Sequence, residues 1–575
     1  MSEKTSQDSN TVLTETEVKN SEKKRPDLGA VADFLSYVIM FAVFFTVMGI
    51  TLYYITTAAK AEFHSDCTDT IMWANASYES GHIYDENFGY ACFLPFGVNL
   101  IMQPFIPLFG VSMTTHIIGM TGFFILLMLF FFLMMIQMNW DIRYICAAGS
   151  AFLSMTLISK KMREMFWGHT IYYTLGLLFL FIGMYLFCHL FNLGAKRKKL
   201  LENGDSARSC TIRYCVTLVL LCIFILFTAT DGISALTIFA LPFIAAGFME
   251  VFVNSDIPIM SKRMLYAGLR AALFLLMVLL GLLLNGLWLN GQTAGYQDAY
   301  SVYSSMNKWV ANAGRIPIAW LNMLGVTNMS GKPLAKDDGI INLIYIFNAV
   351  IIAVIPLIAT SFYKKYGSGI KGRMIRLWIW IHWAVTAFIL LGNICGILSS
   401  ANWRVLPSIC TALVLSILFI MWAAEQSISI TRIVMILIVP MIMVSYFSCA
   451  NITNMPRDGF NDNDLYVLAQ RLESEGLSYG YATFWNANAI TVISDSEVKV
   501  RDVNIDDGFV TKRIYQSSEK WYEDQQGQEK YFLLLTDGEY SSLKDPKLMN
   551  ECERYLRVSA NGREYHIMIF DHNIV

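Results

Sequence analysis

Residues 32–57 read ADFLSYVIMFAVFFTVMGITLYYITT, a run that carries one charged residue, Asp33. About 20 consecutive apolar residues suffice to cross a hydrocarbon core, so this run predicts a membrane span. The rest of the chain repeats the pattern. Of 575 residues, 55% are apolar and only 15% charged, with a mean hydropathy of +0.46. Soluble domains carry about 25% charged residues, and no interior of this size hides so much apolar surface. Hydropathy places further spans at about 114–138, 144–159, 171–193, 214–230, 234–253, 271–290, 340–362, 377–397, 405–425 and 432–449. The expected fold is therefore a polytopic α-helical membrane protein of about eleven transmembrane helices. The apolar stretch CFLPFGVNLIMQPFIPLFG at 92–110 is broken by Pro95, Pro104 and Pro107. Proline removes helical hydrogen bonds, so a re-entrant or interfacial segment is expected there.

Segment 1–31 is polar, rich in Ser and Thr and free of aromatics, which predicts a disordered cytoplasmic tail. No apolar core follows an early basic start, so it does not read as a cleavable signal peptide. With the N-terminus inside, the tail and inner loops together hold more than twice the Lys and Arg of the outer loops, the C-terminal region aside; GAKRKKLLENGDSARSCTIRY and YKKYGSGIKGRMIR are the densest. That asymmetry is the positive-inside rule. An odd number of spans then places the C-terminus outside. A Met- and Ile-rich chain without a sorting signal suggests a bacterial plasma membrane. The sequons at Asn75, Asn328 and Asn451 fall outside and matter only in a eukaryotic secretory host. The net charge of −2 says nothing about partners; no nucleic-acid partner is expected.

Three outer segments are large. Two are loops, 58–113 and 291–339, of the membrane domain 32–449. The third, 450–575, is an extracytoplasmic α/β or α+β domain in which charge rises and long apolar runs end. Helical periodicity runs over 465–477. YATFW (481–485), AITVIS (489–494), EVKVRDV (497–503), YFLLLTD (531–537) and EYHIMIFD (564–571) predict strands. The 11 cysteines form no CxxC and no Cys/His zinc pattern. Cys67 and Cys92 share the first outer loop and could pair in an oxidising compartment.

Chemistry concentrates just after the first span, in KAEFHSDCTD (60–69). Asp66 and Asp69 are three apart and share a face if the segment is helical. Carboxylates at a low-dielectric boundary make good general bases and attract cations; Glu62, His64, Asp66 and Asp69 would equally serve to solvate a loop. In KKMREMFWGHTIYY (160–173), Glu164 offers a second acid or metal ligand and His169 a substrate contact, against an interfacial belt of Trp167 and Tyr172. Asp231, in TATDGIS, either faces the same cavity or forms a turn with Gly232. The Tyr-rich stretch 292–309 suits sugar stacking or a membrane interface. Arg404, in NWRVLPS (402–408), suits phosphate through charge-assisted bonds, or snorkels from a span end.

The order of these features resembles the GT-C superfamily of membrane glycosyltransferases, which includes protein mannosyltransferases. An acid follows span one, then SGHIY ending at Tyr84, then PFG and QPFIPLFG before span two. The late stretch NWRVLPS is similar to an RY-x-x-P element of that superfamily, with Val405 where an aromatic is usual. The resemblance implies a GT-C-like fold and transfer of a sugar, with inversion, from a polyprenyl-phosphate donor to an extracytoplasmic glycan, lipid or protein acceptor. It assigns Asp66 as the base, Asp69 as its orienting partner, and Arg404 to the donor phosphate. His64, Tyr84, Glu164, His169 and Asp231 would then contact substrate. The resemblance allows a divalent metal, Mg or Mn, held by Asp69 and Glu164, although DCTD lacks the tighter D-x-D spacing. Two other classes remain open. A transporter or lipid-linked sugar flippase predicts ionisable residues deep in spans and related halves. An envelope-polymer assembly scaffold predicts dispensable Asp66 and Asp69.

Overall fold

A computed structural model describes residues 28–92, 94–253, 258, 261–289, 302–331, 333, 335–398, 401–426 and 428–575. Most of the expected tail and positions 292–301 of the Tyr-rich stretch lie outside the described residues. Among the described residues, nine helices are long and apolar enough to cross a membrane, and ten if one bent pair counts as a span. Two expected spans account for the difference from eleven. The first is a 15-residue helix, Ile142–Thr156, which turns by 111° into Lys160–Trp167. The second is the 13-residue helix Ala240–Phe252, preceded by the single turn Ile233–Leu236. At 1.5 Å per residue neither helix alone reaches across about 30 Å of hydrocarbon, although residues 143–163 run from Asp33 at the start of the first span to Glu62 beyond its end. The proline-broken stretch forms the short apolar helix Asn99–Phe109, built from three pieces with proline at the start of the second and third. Helix Asn402–Ala424 is the most enclosed of the candidate spans. Phe34, Leu276, Leu283 and Ile436 are exposed on the bundle's outside, where lipid suits them.

The C-terminal region carries a six-stranded mixed sheet. Its strands are β2 (Tyr479–Ala482), β3 (Lys499–Asp506), β4 (Phe509–Lys512), β6 (Tyr531–Thr536), β7 (Arg554–Ala560) and β8 (Arg563–Phe570), in the order β4-β3-β2-β6-β8-β7. Strand β2 runs parallel to β3 and β6; the remaining pairs are antiparallel. The expected helix is Asp464–Ser474. One expected strand is not a strand: AITVIS falls in the helix Ala487–Ile493, with Ser494 at its C-cap. Parallel neighbours need a crossover, and this segment is the crossover from β2 to β3. All seven of its residues are buried, which overrides the strand preference of Ile, Thr and Val.

Two short strands tie the two regions together. Strand β1 (Phe88–Gly89) pairs antiparallel with β5 (Ser517–Ser518), joining the first loop to the C-terminal region. The Asn463 amide donates to the carbonyls of Lys60 and Phe63, both at 2.9 Å. Ser496 Oγ donates to Val111 O at 2.8 Å, and Asp495 Oδ1 accepts from Met113 N at 3.1 Å. Three separate ties thus hold the sheet unit against the loop that carries Asp66.

Inside the sheet unit, Asp502 is fully buried. Neither of its carboxylate oxygens has a hydrogen bond, and Arg513 Nη1 stands at 3.4 Å. Burial pushes its pKa up to about 8 against the opposing pull of Arg513. The folded chain therefore keeps a proton that the unfolded chain releases near the ordinary value of 3.8. The stability this gives is complete below about pH 4 and is lost as pH rises toward 8, by up to about 1.4 kcal/mol per pH unit. Asp502→Asn is expected to flatten that slope and to raise the thermal midpoint of the full chain above about pH 8. Thermal unfolding across the pH range checks both, and an unchanged slope would remove Asp502 as its source.

Candidate functional site

Two segments far apart in sequence make the site. The first leaves its span at Thr56, passes the turn Ala58–Glu62, and extends at His64. A 3-10 turn, Ser65–Thr68, carries Asp66, and Asp69 opens the helix Asp69–Ser80. The second is the helix Lys160–Trp167. Ser159 caps it, accepting from Met162 N, and the 111° bend before it swings it out of line with the preceding helix. Arg163 grips Glu62 through both guanidinium and carboxylate ends, with Nε to Oε2 at 3.0 Å. Tyr54 donates to the same carboxylate at 2.6 Å. Bidentate pairing of this kind fixes orientation as well as distance. Gly168 lets the segments touch, since a Cβ there would meet Cys67 Sγ at 3.0 Å and Glu164 O at 3.2 Å.

This docking brings together five of the residues singled out in the sequence. His169 Nε2 meets Asp69 Oδ2 at 3.1 Å. His64 Nε2 meets Glu164 Oε2 at 3.3 Å, and Lys161 Nζ donates to Glu164 Oε1. Asp66, Glu164 and His169 each offer a donor atom, and the three atoms lie within 4.8 Å of one another. Two carboxylates and an imidazole are a donor set that Mn²⁺ accepts more readily than Mg²⁺. A cation bound there would share Glu164 with His64 and Lys161. Asp69, expected as a metal ligand, is not in this group of three; it holds the imidazole that is.

Burial and pairing set the charges. Burial works against the Glu164 carboxylate, but His64 and Lys161 outweigh it and bring its pKa down to about 2. Burial raises Asp69, with His169 opposing and Asp66 adding to the rise. Burial disfavours the His169 imidazolium, and Asp69 more than compensates, so its pKa is raised. The cluster thus pairs its acids with basic groups, Glu164 with His64 and Lys161 and Asp69 with His169, and is not a bare patch of carboxylates.

Arg404 stands beside the cluster. Its guanidinium donates to Tyr172 Oη at 2.8 Å and to Tyr173 Oη, three and four residues after His169. The adjacent Trp403 ring lies 4.4 Å from Lys161 Nζ. Tyr172 and Trp167 are buried and form no interfacial belt. Cys67 and Cys92 are both free thiols. Burial pushes the Cys92 thiol up, and Asp69, Asp231 and Arg404 all act on it electrostatically. Asp231 is buried. Its Oδ1 accepts from Phe96 N at 3.4 Å, while Oδ2 has no partner. Burial raises its pKa well above the ordinary carboxylate value. Gly232 beside it has φ +85°, so Asp231 also opens the expected turn. Tyr84 lies elsewhere, at the far end of helix Asp69–Ser80, stacked on Tyr90.

One contributor had no signal in the sequence. Gln516, fully buried, comes from the C-terminal region and sits at φ +51°, a conformation uncommon for a residue with a side chain. Its N–H donates to Gly89 O at 2.7 Å, and its Oε1 accepts from the Trp73 indole at 2.7 Å. That bond fixes the amide with its NH₂ free to donate. The amide lies close enough to Asp69 to favour the ionised carboxylate, although Asp69 Oδ1 and Gln516 Nε2 make no hydrogen bond of ordinary length. The residues around Gln516, RIYQSSEKW, carry no motif; only the β1–β5 pairing brings it to the site. No family model matches the chain, and no curated protein matches it.

Proposed function

We propose that this chain is a GT-C-type membrane glycosyltransferase, which moves a sugar from a polyprenyl-phosphate donor to an extracytoplasmic acceptor with inversion. The observation that carries the reading is the convergence of Asp66, Asp69, Glu164 and His169 from two segments, with Arg404 and Lys161 alongside. Asp66, the half-buried acid of the set, takes the proton of the acceptor hydroxyl. The hydroxyl oxygen attacks the anomeric carbon as the bond to the lipid phosphate breaks, through an oxocarbenium-like state. Arg404 and Lys161 meet the charge that grows on the leaving phosphate. Asp69 holds His169 in place, and His169 in turn borders Asp66. A divalent cation held by Asp66, Glu164 and His169 would supply Lewis-acid stabilisation of the leaving group. The N-in, C-out orientation and a bacterial plasma membrane belong to this reading and place the cluster on the outer side.

Purified protein in lipid, given a radiolabelled mixture of polyprenyl-phosphate sugars and a membrane acceptor extract, is expected to release polyprenyl phosphate. Release should require the acceptor extract. No release from any donor in the mixture would overturn the transferase reading and favour transport of the same lipid.

A further inference from the structure

A cavity of about 940 Å³ opens at the far end of helix Asp69–Ser80, away from the acidic cluster. Three parts of the chain wall it: residues 79–87 of the first loop, Ser518 and Lys520 of the C-terminal region, and Trp288 near the end of a span. We propose that this cavity is a subsite for a neutral or amino-bearing oligosaccharide, the acceptor of the transferase; the proposal rests on that functional reading.

The lining supports a sugar. Tyr84 is held at the wall by its stack on Tyr90, with ring centroids 5.5 Å apart and planes 28° apart. Trp288 supplies a second aromatic surface. Aromatic faces suit the C–H faces of pyranose rings, and the carboxylates and amide around them suit hydroxyl groups. The charge selects among sugars. Glu79, Asp85 and Glu86 line the cavity against the single lysine, Lys520, so a phosphate polymer or a uronate meets net repulsion there. The turn that presents Tyr84 is fixed, because Asp85 Oδ1 accepts from Asn87 N at 3.0 Å and Tyr90 Oη accepts from Asp85 N at 3.1 Å.

Length follows from the helix that separates the two sites. Asp69 opens it and Glu79 lies near its end, which at 1.5 Å per residue is roughly 15 Å. An acceptor that fills the cavity and reaches Asp66 spans that distance, so it is an oligomer and not a monosaccharide.

The test reads binding alone, on the full chain carrying Asp66→Asn and with no donor present. The probes are chitotetraose, mannotetraose, maltotetraose and tetragalacturonate. At least one neutral tetrasaccharide is expected to bind saturably at millimolar concentration, and tetragalacturonate is not. Tyr84→Ala and Trp288→Ala should each weaken binding by about tenfold. Tyr84→Phe, which keeps the stack, should bind as the parent does, and so should Tyr78→Ala, at an exposed position outside the lining. The proposal is overturned by no neutral tetrasaccharide binding, by tetragalacturonate binding best, or by binding indifferent to Tyr84→Ala in a variant that keeps the parent's thermal midpoint. A chain that releases polyprenyl phosphate but binds none of these sugars loses only the subsite. A chain that binds them but never releases polyprenyl phosphate loses the transferase reading.

Discussion

Replacing Asp66 by Asn is expected to cut release of polyprenyl phosphate by about a thousandfold. The fall should lie in kcat, with KM for the lipid donor nearly unchanged, because a general base acts in the transition state and not in ground-state binding. Geometry separates Asp66 from its neighbours. Glu164 is held by Lys161 and His64, and Asp69 is buried and engaged with His169. Asp66 is half-buried and lies within reach of both Glu164 and His169. Asp69→Asn keeps a polar contact to His169 and is expected to cost less, about ten- to a hundredfold. The comparison is made on the two variants at matched thermal midpoints. If Asp66→Asn releases lipid phosphate as fast as the parent while Asp69→Asn does not, the base is Asp69.

Gly89→Ala should be nearly as damaging, although residue 89 touches no reacting group. A Cβ there would sit 2.3 Å from Ile514 O and 2.8 Å from Ile514 C. Both are backbone atoms, so no side chain can swing aside and the β1–β5 pair must separate. Overpacking of this kind costs about 1–3 kcal/mol. The local consequence is larger, because Gln516 N–H is bonded to Gly89 O. Once that bond is lost, Gln516 moves off Asp69, and a displacement of about 1 Å at a catalytic constellation can cost a hundredfold in rate. Limited proteolysis should open the chain near residues 507–516, and release of polyprenyl phosphate should fall by about a hundredfold. Gly49→Ala is the control. It lies in a span helix with nothing within 4 Å of its added carbon, and it should change neither readout. Full activity in Gly89→Ala would show that the C-terminal region is not part of the site.

Much of this was open to a reading of the sequence, and the exceptions have physical causes. Spans with uninterrupted apolar runs, such as Met113–Gln137, are visible because lipid demands about 20 such residues. Runs 144–159 and 234–253 looked the same by hydropathy. In 234–253, Pro242 falls in the first turn of Ala240–Phe252 and marks the break; the bend before Lys160 depends on the Ser159 cap and on Arg163 reaching Glu62, and the second of these is a tertiary fact. His64, Asp66, Asp69, Glu164 and His169 were all visible as polar residues at span ends. Their meeting was not, since it depends on two segments about a hundred positions apart. The GT-C resemblance groups Tyr84 with them through SGHIY, but the helix Asp69–Ser80 carries it away from the cluster. Gln516 was invisible because a buried glutamine whose partners lie on another segment has no local pattern.

The tie between Trp73 and Gln516 joins residues 443 positions apart. Chains are made at about 5–20 residues per second, so the first loop is synthesised on the order of half a minute to a minute and a half before its last partner. Throughout that interval the loop has neither its strand neighbour nor the amide beside Asp69. A chain stalled before residue 516 therefore carries Asp66, Asp69, Glu164 and His169 but lacks the Gln516 amide beside them. On the transferase reading proposed above, the order of synthesis acts as a safeguard, because the amide beside Asp69 arrives only with the C-terminal region.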